Sequence, residues 1–144
     1  MLDTRDVRVG NWVLKLTGRD EKEQSFFEYK AIALDEYYYT FARDCFPIKL
    51  SPEILGECGF KHEFGDWYKN LPSPASEEGV PMLRYRHKVK AWYLGSLELP
   101  AQPVFVHQLQ NLYYALTRQE LTIELSRFEN LALEYPIHFF TDAY

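Results

Sequence analysis

The stretch Pro103-Val-Phe-Val-His-Gln-Leu-Gln-Asn-Leu-Tyr-Tyr-Ala-Leu-Thr117 constrains this chain most, because its apolar residues recur at helical spacing over about four turns. At about 100° per residue, Phe105, Val106, Leu109, Leu112, Tyr113 and Leu116 share an arc of roughly 120°, which predicts a helix laid on a core. Gln102 reads as its cap. Pro103 suits the first helical position, where its missing N–H would be unpaired anyway. The opposite face holds His107, Gln108, Gln110, Asn111, Tyr114 and Ala115, with no charged residue between Pro103 and Thr117. Solvated helix faces ordinarily carry Lys and Glu, so this face implies partial burial. The cover is the chain's own loops or tail, or a partner protein meeting His107, Asn111 and Tyr114, or a small polar ligand. Those three residues are neighbours at three- and four-residue spacing.

Ahead of the helix the pattern is one of short strands. Val7 to Leu16 reads as a first strand, interrupted at Gly10-Asn11 by a bulge or kink. Phe26 to Leu34, Tyr37 to Phe41 and a short piece near Phe46 to Leu50 follow, with a polar loop at 17–25 and a turn at Asp35-Glu36. This opening resembles SH3-like barrels, half-open. Ser51-Pro-Glu-Ile-Leu-Gly-Glu-Cys-Gly59 predicts a short helix over 52–58: Ser51 caps, Pro52 starts, Glu53 suits the positive end, and Gly59 closes it. Phe60 should dock just past that end. Lys61 to Asn70 predicts a hairpin turning at Gly65-Asp66. Strands from Met82 and through Lys90 to Leu94 precede the long helix, and Leu121 to Leu125 alternates as a returning strand. A high aromatic content, 17%, also favours sheet. The fold class is therefore α+β, one domain over 1–144 with a twisted antiparallel sheet and helices at 52–58 and 103–117. The loop 71–79, rich in Pro and Ser, is the one place for an internal boundary. The tail 127–144 is too apolar for disorder and should pack on something.

Three pieces of the chain carry a resemblance. His107-Gln-Leu-Gln-Asn-Leu-Tyr-Tyr-Ala-Leu-Thr117 followed by Glu120-Leu121, the opening Asp6-Val-Arg-Val-Gly-Asn-Trp-Val13, and Ile48-Lys-Leu-Ser-Pro-Glu-Ile-Leu-Gly-Glu-Cys-Gly-Phe60 stand in that family's order and cover about a quarter of the chain. They resemble a family of small uncharacterised proteins from Bacteroidetes genomes and their phages or other mobile elements. The family places Gly after the helix Thr, where this chain has Arg118, and ends soon after the position of Leu125. The resemblance implies no activity and assigns no functional residue.

Chemistry-bearing patterns are sparse. Arg84-Tyr-Arg-His-Lys-Val-Lys90, as one strand, would project Arg84, Arg86, Lys88 and Lys90 from one face. Beside Tyr85 and Trp92, such a stripe could follow a phosphate backbone and stack bases. The same phase puts Trp92 and Leu94 on that face too, which instead suggests a turn near His87-Lys88 that would scatter the stripe. A net charge of −5 disfavours bulk electrostatic coating of nucleic acid. The four histidines are dispersed. Cys58 and His62 lack the second ligand pair that small zinc domains show, so no metal and no cofactor is expected. Nucleophile, phosphate-loop, dinucleotide and HExxH motifs are absent, and an enzyme here would need an unrecognised site. The charged start Met1 to Asp6 argues against a secretory leader, and no apolar run reaches about 18 residues. Cys45 and Cys58 are accordingly expected as free thiols in a reducing cytoplasm. Of three functional classes, a non-enzymatic protein-binding module using His107, Asn111 and Tyr114 comes first, in one form a symmetric homodimer. Nucleic-acid binding through residues 84–90 is the alternative, and catalysis the third.

Overall fold

The structure, a computed structural model, describes residues 4–19, 27–37, 45–72, 81–100 and 102–125. The architecture is α+β, with two antiparallel sheets, one long helix and one short one, and no closed barrel among the described residues. The chain divides into two compact units: Met1–Lys49 with Phe105–Gln108 and Glu124–Tyr144, and Leu50–Val104 with Leu109–Ile123. Of the expected elements, most of the polar loop 17–25, residues 38–41 of the third strand, residues 73–79 and the tail 127–144 lie outside the described residues.

The first unit contains β1 (Trp12–Arg19), β2 (Phe27–Ala33) and β3 (Cys45–Phe46), ordered β2-β1-β3. The first strand starts at Trp12 and not at Val7, because Arg8 to Asn11 close into a turn. Asn11 N–H donates to the Arg8 carbonyl at 3.1 Å, while its side-chain Oδ1 accepts the Arg8 N–H at 2.8 Å. The Asn11 carbonyl and the Gly10 N–H then bind Leu34 on either side, each at 2.8 Å. Asn11 is thus a fully buried amide that turns the chain and ties it to the end of β2. Val7, Val13, Leu34 and Cys45 make a small apolar core, with Ile32 packed against it. The anticipated turn at Asp35-Glu36 is present, with Asp35 Oδ1 accepting the Tyr37 N–H at 2.9 Å.

The second unit opens with α1 (Pro52–Glu57). Ser51 Oγ accepts the Ile54 N–H at 3.3 Å, as a cap should. At the other end the Gly59 N–H reaches the Gly56 carbonyl at 3.1 Å, and the Phe60 N–H reaches Leu55 at 3.0 Å. This paired closure needs a left-handed residue, and Gly59 has φ 86°. The sheet that follows runs β4 (Lys61–Glu63), β5 (Asp66–Asn70), β6 (Met82–Arg86), β7 (Ala91–Leu94) and β8 (Leu97–Glu98), each paired with its neighbour in chain order. The hairpin tip falls one residue earlier than expected, at Phe64-Gly65, with φ 53° and 82°. Two positive φ values in a two-residue loop match the right-handed twist of the flanking strands, which is why the tip moves there. One sheet face carries buried Leu83 and Trp92, and Phe60 meets Trp92 edge-on at 5.8 Å.

The long helix α2 spans Val106–Thr117, three residues shorter at its start than the sequence suggests. Gln102 is not its cap. The Gln102 amide instead accepts the Trp92 N–H at 2.7 Å and donates to the Leu99 carbonyl. Residues just before the helix are held extended: Leu50 N–H binds Val104, and Val106 N–H binds Ile48. Gln108 takes the capping role, its Oε1 accepting the Phe105 N–H at 3.1 Å. The other terminus ends in the left-handed conformation. Arg118 occupies the position after the helix with φ 60°, its N–H on the Tyr114 carbonyl at 2.8 Å. A left-handed L-residue costs roughly 1–2 kcal/mol that glycine avoids. Arg118→Gly is therefore expected to stabilise the chain by about 1 kcal/mol in urea denaturation, net of glycine's extra unfolded-state freedom. Beyond it, 121–125 forms no strand. Leu121 and Leu125 are buried and Ile123 half-buried, so the alternation reflects which side chains are covered and not ladder pairing.

Candidate functional site

The two sequence-derived candidates fare differently once placed. On α2, His107 is 1% exposed, Asn111 is half-buried and Tyr114 is 37% exposed. His107 is thus withdrawn from any free surface, and the trio does not form a shared one. The His107 ring stacks on Phe105 at 5.9 Å with planes 5° apart, and its Nδ1 has no hydrogen-bond partner among the described residues. Burial holds its pKa down at about 4, with Asp6 pulling the other way, so the imidazole is neutral near pH 7. Gln110 is buried as well, which accounts for the missing charges on this side of the helix.

The basic stripe is divided by a turn at 87–90, where Lys90 takes φ 52°. Lys88 and Lys90 are exposed in that turn, while Arg84 and Arg86 stay on β6. What the two arginines meet there was hidden in the sequence. Register places Lys61, Tyr68, Arg84, Tyr93 and Glu98 side by side, one from each strand. At a strand spacing of about 4.8 Å this row crosses roughly 19 Å of sheet. A second row on the same face runs Glu63, Asp66, Arg86 and Ala91.

The guanidinium carbons of Arg84 and Arg86 stand 5.7 and 5.6 Å from the centre of the Tyr93 ring, within cation–π range. Arg84 Nη2 donates to the Gly95 carbonyl at 3.3 Å. Arg86 Nε lies 4.0 Å from Asp66 Oδ2, close enough for charge attraction but beyond a hydrogen bond. The Nε atoms of both arginines are buried without an acceptor among the described residues. Tyr68, on the other flank of Arg84, donates to Glu63 Oε2 at 3.1 Å, and that bond raises its phenol pKa. Tyr68, Arg84, Arg86 and Tyr93 are all half-buried.

On the opposite face, register makes an aromatic row of His62, Trp67, Tyr85 and Trp92. His62 stacks on Trp67 at 4.6 Å, and Tyr85 meets Trp92 at 5.2 Å. His62 is therefore a ring partner. Among the described residues no group of three His, Cys, Asp or Glu is placed to hold a metal ion. Cys45 and Cys58 are free and buried, and burial pushes the Cys58 thiol up to about 12, against the pull of Lys69. Such a thiol is inert at neutral pH.

Tyr68 and Tyr93 are the residues that sequence reading missed. The signal was the turn itself. Once residues 87–90 reverse the chain, Trp92 and Leu94 pass to the core face and Tyr93 to the arginine face. The same reversal puts two exposed apolar tips, Phe64 at 93% and Val89, at one end of the sheet.

No helix among the described residues is long and apolar enough to cross a membrane. Comparison with protein-family models, with curated proteins and with solved structures gave no match to this chain.

Proposed function

We propose that this chain is a non-enzymatic protein-binding module, and that its contact surface is the Tyr68–Arg84–Arg86–Tyr93 face of the second unit's sheet. The observation that carries the reading is the pair of guanidiniums shared over one tyrosine ring on a half-buried sheet face. Tyr and Arg are the residue types that concentrate binding energy at interface centres, since both offer large, stiff contact area with a polar edge. Phe64, held in solvent at a strained φ, adds an apolar anchor at the hairpin tip. The resemblance in the motifs around Val7, Ser51 and His107 favours a module of phage or mobile-element origin. Two free buried thiols suit a reducing cytoplasm. The partner is another protein or a second copy of the chain.

The test is capture of the tagged chain from its native lysate, with and without nuclease, beside a Tyr93→Ala variant. A stoichiometric protein that survives nuclease and is lost from the variant is the expected result, the variant keeping its circular dichroism spectrum. Nucleic acid removed by nuclease would instead support the alternative through Arg84, Arg86, Lys88 and Lys90. That alternative is weakened by the acids on the same face, Glu63, Asp66 and Glu98, which equal Lys61, Arg84 and Arg86 in number.

A further inference from the structure

The guanidinium pair also carries a statement about the partner's chemistry. Resting on the reading of this face as a protein contact surface, we infer that it takes an acidic segment of another protein. A carboxylate of that segment sits over Arg84 and Arg86, and an apolar or aromatic neighbour packs beside Tyr68 and Tyr93.

A guanidinium has five N–H donors in a fixed fork. Arg84 uses one of them on Gly95, and the Arg86 guanidinium makes no hydrogen bond among the described residues. The two cations share one ring, and Asp66 stands 4.0 Å from Arg86. Glu63, the other acid of that row, is already engaged by the Tyr68 hydroxyl. Both guanidiniums thus keep N–H donors without an acceptor among the described residues, and the Arg86 side chain is 43% exposed. A carboxylate matches the guanidinium fork with two parallel bonds, a geometry that neither a neutral amide nor a lysine partner reproduces.

The surroundings select a peptide carboxylate over a phosphate chain. A nucleic-acid backbone crossing the two arginines would run its next charges over Glu63, Asp66 or Glu98, where like charges repel. The lysines that could extend its path stand apart in the 87–90 turn. A single carboxylate flanked by an apolar side chain meets no such repulsion, and the Tyr68 and Tyr93 rings give that side chain a flat surface.

The test uses the whole chain, labelled with nitrogen-15, and follows the Arg84 and Arg86 Nε–H resonances. Three probes are titrated separately: an acetylated and amidated Glu/Phe peptide with one Glu between Phe residues, a Lys/Phe peptide identical but for Lys in place of that Glu, and single-stranded oligothymidine. The Glu/Phe peptide should shift both resonances saturably, and the combined Arg84→Gln, Arg86→Gln variant should bind it at least about tenfold more weakly, read at Tyr68 and Tyr93. The Lys/Phe peptide should leave them unmoved. Equal shifts with the Lys/Phe peptide would overturn the acidic class while leaving this face a protein contact. A steeply salt-dependent response to oligothymidine, with none to either peptide, would overturn both. Silence with all three probes would overturn the acidic-segment assignment, the capture experiment with Tyr93→Ala deciding the broader reading separately.

Discussion

Replacing Trp92 with alanine is expected to destabilise the chain by about 4 kcal/mol, within the roughly 3–5 kcal/mol usual for deleting a buried indole. The side chain is almost wholly buried and touches Phe60 edge-on and Tyr85 at 5.2 Å. It also fastens the segment that leads to α2. Its indole N–H donates to the Pro103 carbonyl at 3.0 Å, its backbone N–H to Gln102, and its carbonyl accepts the Leu99 N–H at 2.9 Å. Alanine keeps the two backbone bonds and loses the rest. Trp92→Phe separates packing from bonding, since it refills most of the space but strands the Pro103 carbonyl, at a cost of about 1–3 kcal/mol. Urea denaturation followed by circular dichroism measures both. A loss below about 1 kcal/mol for the alanine variant would show that the second unit does not rest on this residue.

The second large effect is acid destabilisation through His107. Its folded pKa, about 4, is below the ordinary imidazole value of 6.5, so the unfolded chain binds the proton more readily. Stability from the buried neutral imidazole is complete above about pH 6.5 and drains away as pH falls towards 4. At about 1.4 kcal/mol per unit, the loss between pH 7 and pH 4 comes to about 3 kcal/mol. Carboxylates elsewhere also contribute to acid sensitivity, so the measure is a difference. The wild type should lose about 3 kcal/mol more than His107→Gln over this range, and identical pH profiles would mean that His107 is not buried in its neutral form.

Local chemistry was legible in the sequence, and cross-strand chemistry was not. Ser51, Pro52 and Gly59 announce α1 because caps act within a few residues, and the structure shows each in that role. The hairpin over Lys61 to Asn70 was readable for the same reason, and missed its tip by only one residue. Gln102 misled because a polar residue before an apolar run looks like a cap, whereas its amide is claimed by Trp92 ten residues upstream. His107 was half legible: the missing charges announced burial of its face, but a helical wheel knows only its own helix and could not say which residues would be covered. The imidazole lies opposite the apolar arc, yet tertiary cover buries it. The Tyr68–Arg84–Tyr93 row is the strongest case. Its members come from three strands, and their alignment exists only after two registers are fixed, since a one-residue slip would send each to the other face.

The most direct measurement compares the affinity of the captured partner for Tyr93→Ala and for Tyr114→Ala. Both residues are tyrosines with accessible rings, one on the arginine face of the sheet and one on the exposed side of α2. Binding through the sheet requires at least about a tenfold loss for Tyr93→Ala and little change for Tyr114→Ala. The reverse pattern would contradict it and return the contact to Asn111 and Tyr114 on the helix.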